Sequence, residues 1–392
     1  MSVFKNLRTL RCTGAGAATA AWLAAGTLVP WQTATAQDTL LDEAVSFTGV
    51  ILYLESGVPG LIIGAIRDGE TTVHGFGTVS DDSDAEPDGD TIFRIGSITK
   101  AFTGATLASM VADGTVDFTD PLQDHLDWDI TVPERDGRII RLIELATHTS
   151  GLPREVERAL GPPEDPFATL TSEAYAEALA GDPLMFAPGT GAIYSNFAFD
   201  VLSAALANAD GRSYAETLQE RVLDTAGLTD TVLELRPGDE QRLLQGHNFD
   251  GEPLPDVPAT PIMAGASSLY STGNDLLRWL DWHLEEFDQD GAEMRLLDHA
   301  AYVQRDGLNP VYGLDESGQM DAMGLGWVIM EPEGNRPLIL QKAGGLQGVF
   351  SYIAFAPTRG VGAFVVINEF NFSAALNMAA VVNNLIATLA PR

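Results

Sequence analysis

The chain has 392 residues, a formal net charge of −33 and a single cysteine. A surface this acidic repels nucleic acid and anionic membranes, which excludes polyanion binding as a main function. The only cysteine, Cys12, lies near the N-terminus, so the rest of the chain has no disulfide, thiol nucleophile or cysteine metal site.

The first 36 residues have the pattern of a secretory signal peptide. Three basic residues precede an Ala-rich apolar stretch at 15–29, and residues 34–36 (A-T-A) supply a small-x-small cleavage site. We predict a signal peptide at 1–36 and an exported chain of residues 37–392, with no stable membrane span after cleavage. An uncleaved N-terminal anchor is the alternative.

The next predicted element is a β-hairpin. Residues 47–80 alternate apolar and polar side chains, and an Asp68-Gly69 turn separates 61–66 from 71–76. This pattern predicts the start of an antiparallel sheet.

Helical patterns dominate the middle of the chain, with a buried helix predicted from Ser97 to about Ala112 and an amphipathic helix at 272–286. Four strand patterns return near the C-terminus, at 325–330, 337–342, 349–355 and 361–367. A final helix is predicted at 373–390. Strands at both ends predict an α+β fold, in which terminal segments form an antiparallel sheet flanked by helices and a mostly helical lobe is inserted between them. The predicted lobes are about 37–96 with 324–392, and about 97–323.

Ser97 and Lys100 form an S-x-x-K pattern at the predicted start of the buried helix. Residues three apart share a helix face, with Cβ atoms about 5–6 Å apart, so the lysine amine can reach the serine hydroxyl. Of 22 basic residues only Lys5, Lys100 and Lys342 are lysines. A buried lysine can lose its proton, whereas arginine cannot. The pattern predicts a serine nucleophile activated by a lysine.

Two later segments offer complementary groups. Tyr194–Asn196 (Y-S-N) has a phenol that can relay a proton and an amide that can hold a substrate carbonyl. The alternative there is a helix cap made by Ser195 or Asn196. Lys342–Gly345 (K-A-G-G) follows a predicted strand, and its glycines let a substrate backbone approach. The alternative for that segment is an ordinary edge lysine before a turn.

Together the three motifs resemble those of the serine β-lactamase and penicillin-binding protein superfamily, of the class C type. The similarity spans about 45–390 and includes three further segments: 145–153 (L-A-T-H-T-S-G-L-P), 264–272 and 324–327 (G-L-G-W). Residues 152–166 and 340–357 most resemble periplasmic D-alanyl-D-alanine carboxypeptidase/endopeptidases, which implies a periplasmic location.

The resemblance implies a role for each motif residue. These roles are nucleophile for Ser97, acylation base for Lys100, proton relay and deacylation base for Tyr194, substrate binding for Asn196, Lys342, Gly344 and Gly345, and an oxyanion hole of the Ser97 and Gly345 N–H groups. One departure is Ala343, where threonine or serine is usual. It removes a hydroxyl that helps to bind a substrate carboxylate.

The activity implied is cofactor-free hydrolysis of D-Ala-containing peptide bonds in peptidoglycan, through an acyl-Ser97 intermediate. The implied partners are peptidoglycan peptides or β-lactams as substrates. Three alternatives use the same site: a class C-like β-lactamase, an esterase or transacylase favoured by Ala343, and a penicillin-binding sensor without turnover.

His148 suggests a Ser-His-Asp triad, but no G-x-S-x-G elbow precedes a serine, so a structural capping role is predicted instead. The remaining histidines show no H-E-x-x-H or paired-ligand spacing, which predicts no metal site. They are His74, His125, His247, His283 and His299.

Overall fold

The computed structural model describes residues 34–162, 164–285 and 291–390. The predicted signal peptide lies outside these ranges, except for its last three residues, which begin the first helix. The α-helices are α1 Ala34–Ser56, α2 Thr99–Ala112, α3 Leu142–Ala146, α4 Ser172–Ala180, α5 Asn196–Asp210, α6 Tyr214–Leu218, α7 Gly273–Leu284, α8 Ala292–His299 and α9 Phe372–Leu389. The strands are β1 Gly60–Arg67, β2 Glu70–Gly77, β3 Ile92–Arg94, β4 Glu134–Arg135, β5 Arg138–Ile139, β6 Ala192–Ile193, β7 Tyr270–Thr272, β8 Val303–Gln304, β9 Val311–Tyr312, β10 Ala322–Met323, β11 Val328–Met330, β12 Ile339–Leu346, β13 Val349–Ala356 and β14 Val361–Ile367.

Within the described ranges, eight strands form one antiparallel sheet in the order β2-β1-β14-β13-β12-β11-β10-β8. The first strand of the chain pairs with the last, from Leu61 opposite Ile367 to Arg67 opposite Val361. This pairing confirms the predicted α+β fold, because segments from both ends of the chain share one sheet. The sheet also takes in β8 and β10, which precede residue 324 and are too short to leave a sequence pattern.

The hairpin of β1 and β2 turns at Asp68 and Gly69, whose φ angles are 51° and 83°. Positive φ at both central residues matches the twist of the strands, and an Asp-Gly pair accepts it most readily. The sequence therefore predicted this turn correctly.

The stretch before the hairpin was predicted wrongly. Residues 47–56 are not part of a strand but the second half of α1. Leu41, Val45 and Leu52 are buried along this helix. Their spacings of four and seven residues correspond to about one and two helical turns, so the three side chains lie on the same face. Gly57 follows the helix with a φ of 67°, the left-handed conformation common after a helix C-terminus.

Helices pack on both faces of the sheet. One face and the helices α1 and α9 share an apolar core, and the other face packs against α7 and the helical part of the chain around α2. Among the described helices, α9 alone is long and apolar enough to cross a membrane by length and composition, and 44% of that stretch is buried. In this fold α9 covers strands β13 and β14.

Candidate active site

Ser97 lies where the turn before α2 meets strand β12. The helix starts at Thr99, two residues later than predicted, and Ser97 sits in a 3₁₀ turn. Gly96 has a φ of 51°, and a Cβ there would lie 2.5 Å from the Gly345 nitrogen. A Cβ on Gly344 would lie 2.9 Å from the Ser97 nitrogen. Glycine permits this approach, which brings the backbone of the Ser97 turn against that of Gly344 and Gly345, where backbone N–H groups can act as an oxyanion hole.

The amine of Lys100 is buried and surrounded by oxygen atoms. Its Nζ lies 3.1 Å from Ser97 Oγ, 2.6 Å from Asn196 Oδ1 and 2.8 Å from the Ala266 carbonyl oxygen. Burial lowers the pKa of Lys100 well below its usual value, and the charge of Lys342 lowers it further. A neutral amine can donate to the amide and carbonyl oxygens while it accepts the hydroxyl proton of Ser97.

Three basic side chains surround the ring of Tyr194. The Nζ atoms of Lys100 and Lys342 lie 4.9 and 4.7 Å from the ring centroid, and the guanidinium carbon of Arg154 lies 4.7 Å from it. Burial raises the pKa of Tyr194, although a hydrogen bond with Ser97 and the Arg154 charge oppose the rise. Since burial dominates, the phenol keeps its proton at neutral pH and can donate it beside the serine.

Asn196 links the amine to a carboxylate that sequence reasoning missed. Its Oδ1 accepts from Lys100, and its Nδ2 donates to Glu155 Oε1 at 2.5 Å. Asn196 is the first residue of α5, and its position is set by Ser195, whose hydroxyl accepts from the Ala198 N–H at 2.9 Å and caps the helix. The two interpretations of the Y-S-N segment are therefore compatible, because the serine caps the helix while its neighbours face Lys100.

His148 packs behind the tyrosine. Its ring stacks on Tyr194 with centroids 4.7 Å apart, and its Nδ1 accepts from the Ser195 N–H at 3.1 Å. Burial lowers the pKa of His148 well below its usual value, and the charges of Lys342 and Lys100 add to this. Its Nε2 has no hydrogen-bond partner among the described residues. A Ser-His-Asp triad therefore lacks its carboxylate, and the imidazole instead supports the Y-S-N segment.

Lys342 lies inside strand β12 and not at its end, where the sequence placed it. The strand continues to Leu346 because residues 340–346 pair with β13, although alanine and glycine are poor strand formers. On the other side, β11 pairs only with Ile339–Gln341. Residues 343–346 thus form a strand edge next to the Ser97 turn. Burial lowers the pKa of Lys342 to about 7.

A cleft of about 500 Å³ joins most of these groups. The predicted site residues that line it are Ser97, Tyr194, Lys342, Gly344 and Gly345. Lys100 and Asn196 do not line the cleft: Lys100 is connected to it by its hydrogen bond with Ser97, and Asn196 in turn accepts from Lys100. Apolar side chains form another wall, contributed by β13 and α9: Phe350, Phe372, Leu376 and Met378.

A second buried carboxyl group, Asp200, was also missed. It lies one helical turn beyond Asn196 on α5, and the hydroxyl of Tyr175 donates to its Oδ2 at 2.6 Å. Burial raises the pKa of Asp200 to about 8, although the hydrogen bond from Tyr175 and the charge of Lys100 oppose this. The i, i+4 spacing from Asn196 was the only signal for it in the sequence.

One histidine cluster lies apart from the residues that line the cleft. His283, Asp298 and His299 each place a donor atom within 4.8 Å of the other two. Their spacing along the chain gave no sign that His283 and His299 lie together, which they do because both rings pack on Phe355. His283 Nδ1 lies 2.8 Å from His299 Nε2, and Asp298 accepts from the Trp327 indole at 2.8 Å. Two imidazoles and a carboxylate are donors of the kind that Zn²⁺ accepts.

Comparison with known proteins places this fold and cleft in a family. The profile of the Beta-lactamase family matches residues 36–386. The chain belongs to the Beta-lactamase family. The D-alanyl-D-alanine-carboxypeptidase/endopeptidase AmpH of Escherichia coli strain K12 is 34% identical over 340 residues, which cover 86% of each chain. A β-lactamase of the same strain is 24% identical over 350 residues, or 84% of this chain and 89% of the relative.

Solved structures of similar proteins agree with this assignment to the Beta-lactamase family. The β-lactamase/D-alanine carboxypeptidase from Yersinia pestis, complexed with citrate, has a TM-score of 0.81 and 32% identity, covering 90% of this chain and 99% of that one. A protein of the same description from Pseudomonas syringae has a TM-score of 0.72 at 20% identity, covering 88% and 99%, and shows the shared fold. The predicted resemblance is confirmed.

Proposed function

We propose that this chain is an exported serine hydrolase that cleaves D-Ala-containing peptide bonds of peptidoglycan, as a DD-carboxypeptidase or endopeptidase. The proposal is carried by the 3.1 Å contact between Lys100 Nζ and Ser97 Oγ, at a cleft that Tyr194 and Lys342 also line. The names of AmpH and of the Yersinia pestis β-lactamase/D-alanine carboxypeptidase, both above 30% identity, support the substrate class.

Acylation starts with attack of Ser97 Oγ on the substrate carbonyl carbon, while the hydroxyl proton passes to Lys100 Nζ. The carbonyl oxygen becomes an oxyanion, which the backbone N–H groups of Ser97 and Gly345 stabilise. When the tetrahedral intermediate collapses, the C–N bond breaks and Tyr194 donates its proton to the leaving amine. Lys100 then returns a proton to the phenolate, which leaves an acyl-Ser97 ester and a neutral amine.

Deacylation uses the same groups with water as the nucleophile. The water oxygen attacks the ester carbon, and its proton passes through the Tyr194 hydroxyl to Lys100. The raised pKa of Tyr194 favours this relay over a resting phenolate. The C–O bond to Ser97 breaks, Oγ regains a proton from Lys100, and the acid product leaves. Asn196 holds the Lys100 amine in place throughout, through the 2.6 Å hydrogen bond.

The N-terminal pattern supports export. We propose that residues 1–36 are a cleaved signal peptide and that residues 37–392 form the hydrolase domain, acting in the periplasm on the peptides of the cell wall. A basic start, an apolar stretch and the A-T-A site carry this part of the proposal.

A second candidate is hydrolysis of β-lactams. It is favoured by the family itself and by the relatives named β-lactamases. Both activities share the acylation step, and they differ in how fast water reaches the acyl-enzyme. The esterase or transacylase alternative depends on Ala343, which lacks a hydroxyl for a substrate carboxylate, whereas a sensor would be acylated without turnover.

Covalent labelling tests the shared site. A fluorescent penicillin should label the wild-type protein, and Ser97→Ala should lose the label. Ser109→Ala, a change of the same kind later in α2, should keep it. Digestion of muropeptides followed by mass spectrometry, with nitrocefin hydrolysis measured in parallel, then separates the peptidase from the β-lactamase. Absence of label on the wild type contradicts the proposed function.

A further inference from the structure

Among the described residues, the charged side chains that line the cleft are Arg154, Lys342 and Glu316. Two cations against one carboxylate is unusual for a chain with a net charge of −33. The protein as a whole repels anions, so an anionic group can bind only where positive charge is concentrated locally. The charge of this cleft is therefore matched to a negatively charged group of the substrate.

The two cations hold their charge differently. Burial lowers the pKa of Lys342 to about 7, so this amine is only partly charged at neutral pH. A guanidinium stays protonated in a protein. The Arg154 side chain is 51% exposed, and its guanidinium lies over the Tyr194 ring, 4.7 Å from the centroid. Arg154 is therefore the permanent positive charge beside the reacting groups.

The partners of Arg154 are replaceable. Its Nη1 lies 3.5 Å from Glu316 Oε1, and its Nε lies 4.0 Å from Glu155 Oε1. All three side chains are more than half exposed, and ion pairs between exposed side chains contribute little to stability. Glu316 belongs to a different segment of the cleft lining, so a bound carboxylate can displace it without disturbing the support of Tyr194.

We propose that Arg154 is the carboxylate-binding residue of the cleft, and that a free carboxylate of the substrate replaces Glu316 as its partner. This inference rests on the proposed hydrolase function and specifies its substrate as an anionic peptide. It also explains how the site works with Ala343, because the planar guanidinium can bind both carboxylate oxygens and so supply the contact that the missing hydroxyl does not.

A structural role for the guanidinium is the competing explanation. The main chain of Arg154 does have such a role, since its carbonyl oxygen accepts from the N–H groups of Asn196 and Phe197 at 2.9 and 3.3 Å. These bonds do not involve the side chain. Substitution of the side chain therefore leaves the backbone bonds in place and tests the guanidinium alone.

The experiment measures KM and kcat for a peptide ending in D-Ala-D-Ala with its carboxylates free, and for analogues in which one carboxylate at a time is amidated. In the wild type, amidation of the bound carboxylate should raise KM about tenfold or more, as expected for loss of a charge-assisted hydrogen bond. Arg154→Gln should raise KM for the free acid by a similar factor. It should cause no further rise for that amide, because the two changes remove the same contact.

Two more variants sharpen the result. Glu316→Gln removes the competing carboxylate and should lower KM for the free acid but not for the amide. Arg154→Lys keeps the charge without the planar fork and should give an intermediate KM. An unchanged KM for the acid in Arg154→Gln, or an equal rise for the acid and every amide, overturns the proposal. Failure of the hydrolase function itself is distinct, because the wild type then neither binds fluorescent penicillin covalently nor cleaves any of these peptides.

Discussion

Gly96 and Gly345 touch through their backbones, so that a Cβ on Gly96 would lie 2.5 Å from the Gly345 nitrogen. Gly96→Ala should therefore push the Ser97 turn away from β12 and separate the two oxyanion donors. A displacement of about 1 Å at a reacting centre lowers rates about 100-fold. We expect at least that loss in the rate of penicillin labelling.

Gly114→Ala is the matched control for this change. Gly114 also has a positive φ, 78°, but a Cβ there meets no atom within 4 Å. The variant carries the backbone strain of alanine without the clash, so it should lose some thermal stability and keep the labelling rate. Equal rates for Gly96→Ala and the wild type would remove this contact from the mechanism.

Lys100→Arg preserves the positive charge next to Ser97 but not the ability to accept a proton. A guanidinium does not deprotonate in a protein, so acylation should fall by about a thousandfold or more, within the range that general-base groups contribute. The measurement is the rate of labelling by fluorescent penicillin, with circular dichroism to confirm folding. Lys342→Arg should retain more activity, because the proposed mechanism does not require residue 342 to accept a proton. Near-normal labelling of Lys100→Arg excludes Lys100 as the base.

Asp200→Asn should change how stability depends on pH. The native carboxyl keeps its proton up to about pH 8, whereas in the unfolded chain it ionises near the ordinary value of 3.8. The native state therefore binds the extra proton, and wild-type stability falls as pH rises from about 4 to about 8. Asparagine does not titrate and can still accept from Tyr175.

Thermal unfolding at several pH values checks this. The melting temperature of Asp200→Asn relative to the wild type should rise by several degrees between about pH 4 and pH 8, and then level off. Ionised Asp200 raises the pKa of Lys100, so its removal can only lower that pKa. The acid limb of the pH profile for the acylation rate should therefore move to lower pH or stay in place. A difference in melting temperature that is the same at every pH contradicts the buried, protonated carboxyl.

His148→Asn tests the support of the tyrosine. Asparagine tolerates the positive φ of 60° at this position but cannot stack on Tyr194. We expect labelling to slow about tenfold without being abolished. His125→Asn, which removes an imidazole bonded to Asp120 outside the cleft lining, should have no effect on the rate. Complete loss in His148→Asn would restore the histidine as a direct participant.

The fold was predictable where one local pattern decides the structure. Alternation and an Asp-Gly pair predicted the first hairpin, and β14 has the predicted bounds of 361–367. The second half of α1 was mistaken for a strand because the short apolar run at 50–54 (V-I-L-Y-L) fits a buried strand as well as it fits a helix. The extension of β12 beyond Lys342 depends on pairing with β13, and such pairing is not written in the residues of one strand.

In the candidate site too, residues within a local sequence motif were predictable, and residues that depend on contacts between distant segments were not. The motif residues were predictable because their chemistry depends on fixed local spacing, as with Ser97 and Lys100. Glu155, Asp200 and Glu316 have no such pattern. Their importance arises from contacts with residues 25 or more positions away, such as the bonds from Tyr175 to Asp200 and from Asn196 to Glu155. Arg154 follows a motif directly, yet its place over the Tyr194 ring exists only in three dimensions.

The pairing of β1 with β14 has a consequence for folding during synthesis. Synthesis delivers Leu61 about three hundred residues before its partner Ile367, so the earliest strand of the sheet must wait, with one edge open, until nearly the whole polypeptide is present. Contacts this distant in sequence form slowly. Until β14 is available, the unpaired edge of β1 can form hydrogen bonds with strands of other chains. We therefore expect a nascent or truncated polypeptide that ends before residue 361 to be more prone to aggregation and proteolysis than the complete chain, in which β14 covers the edge of β1.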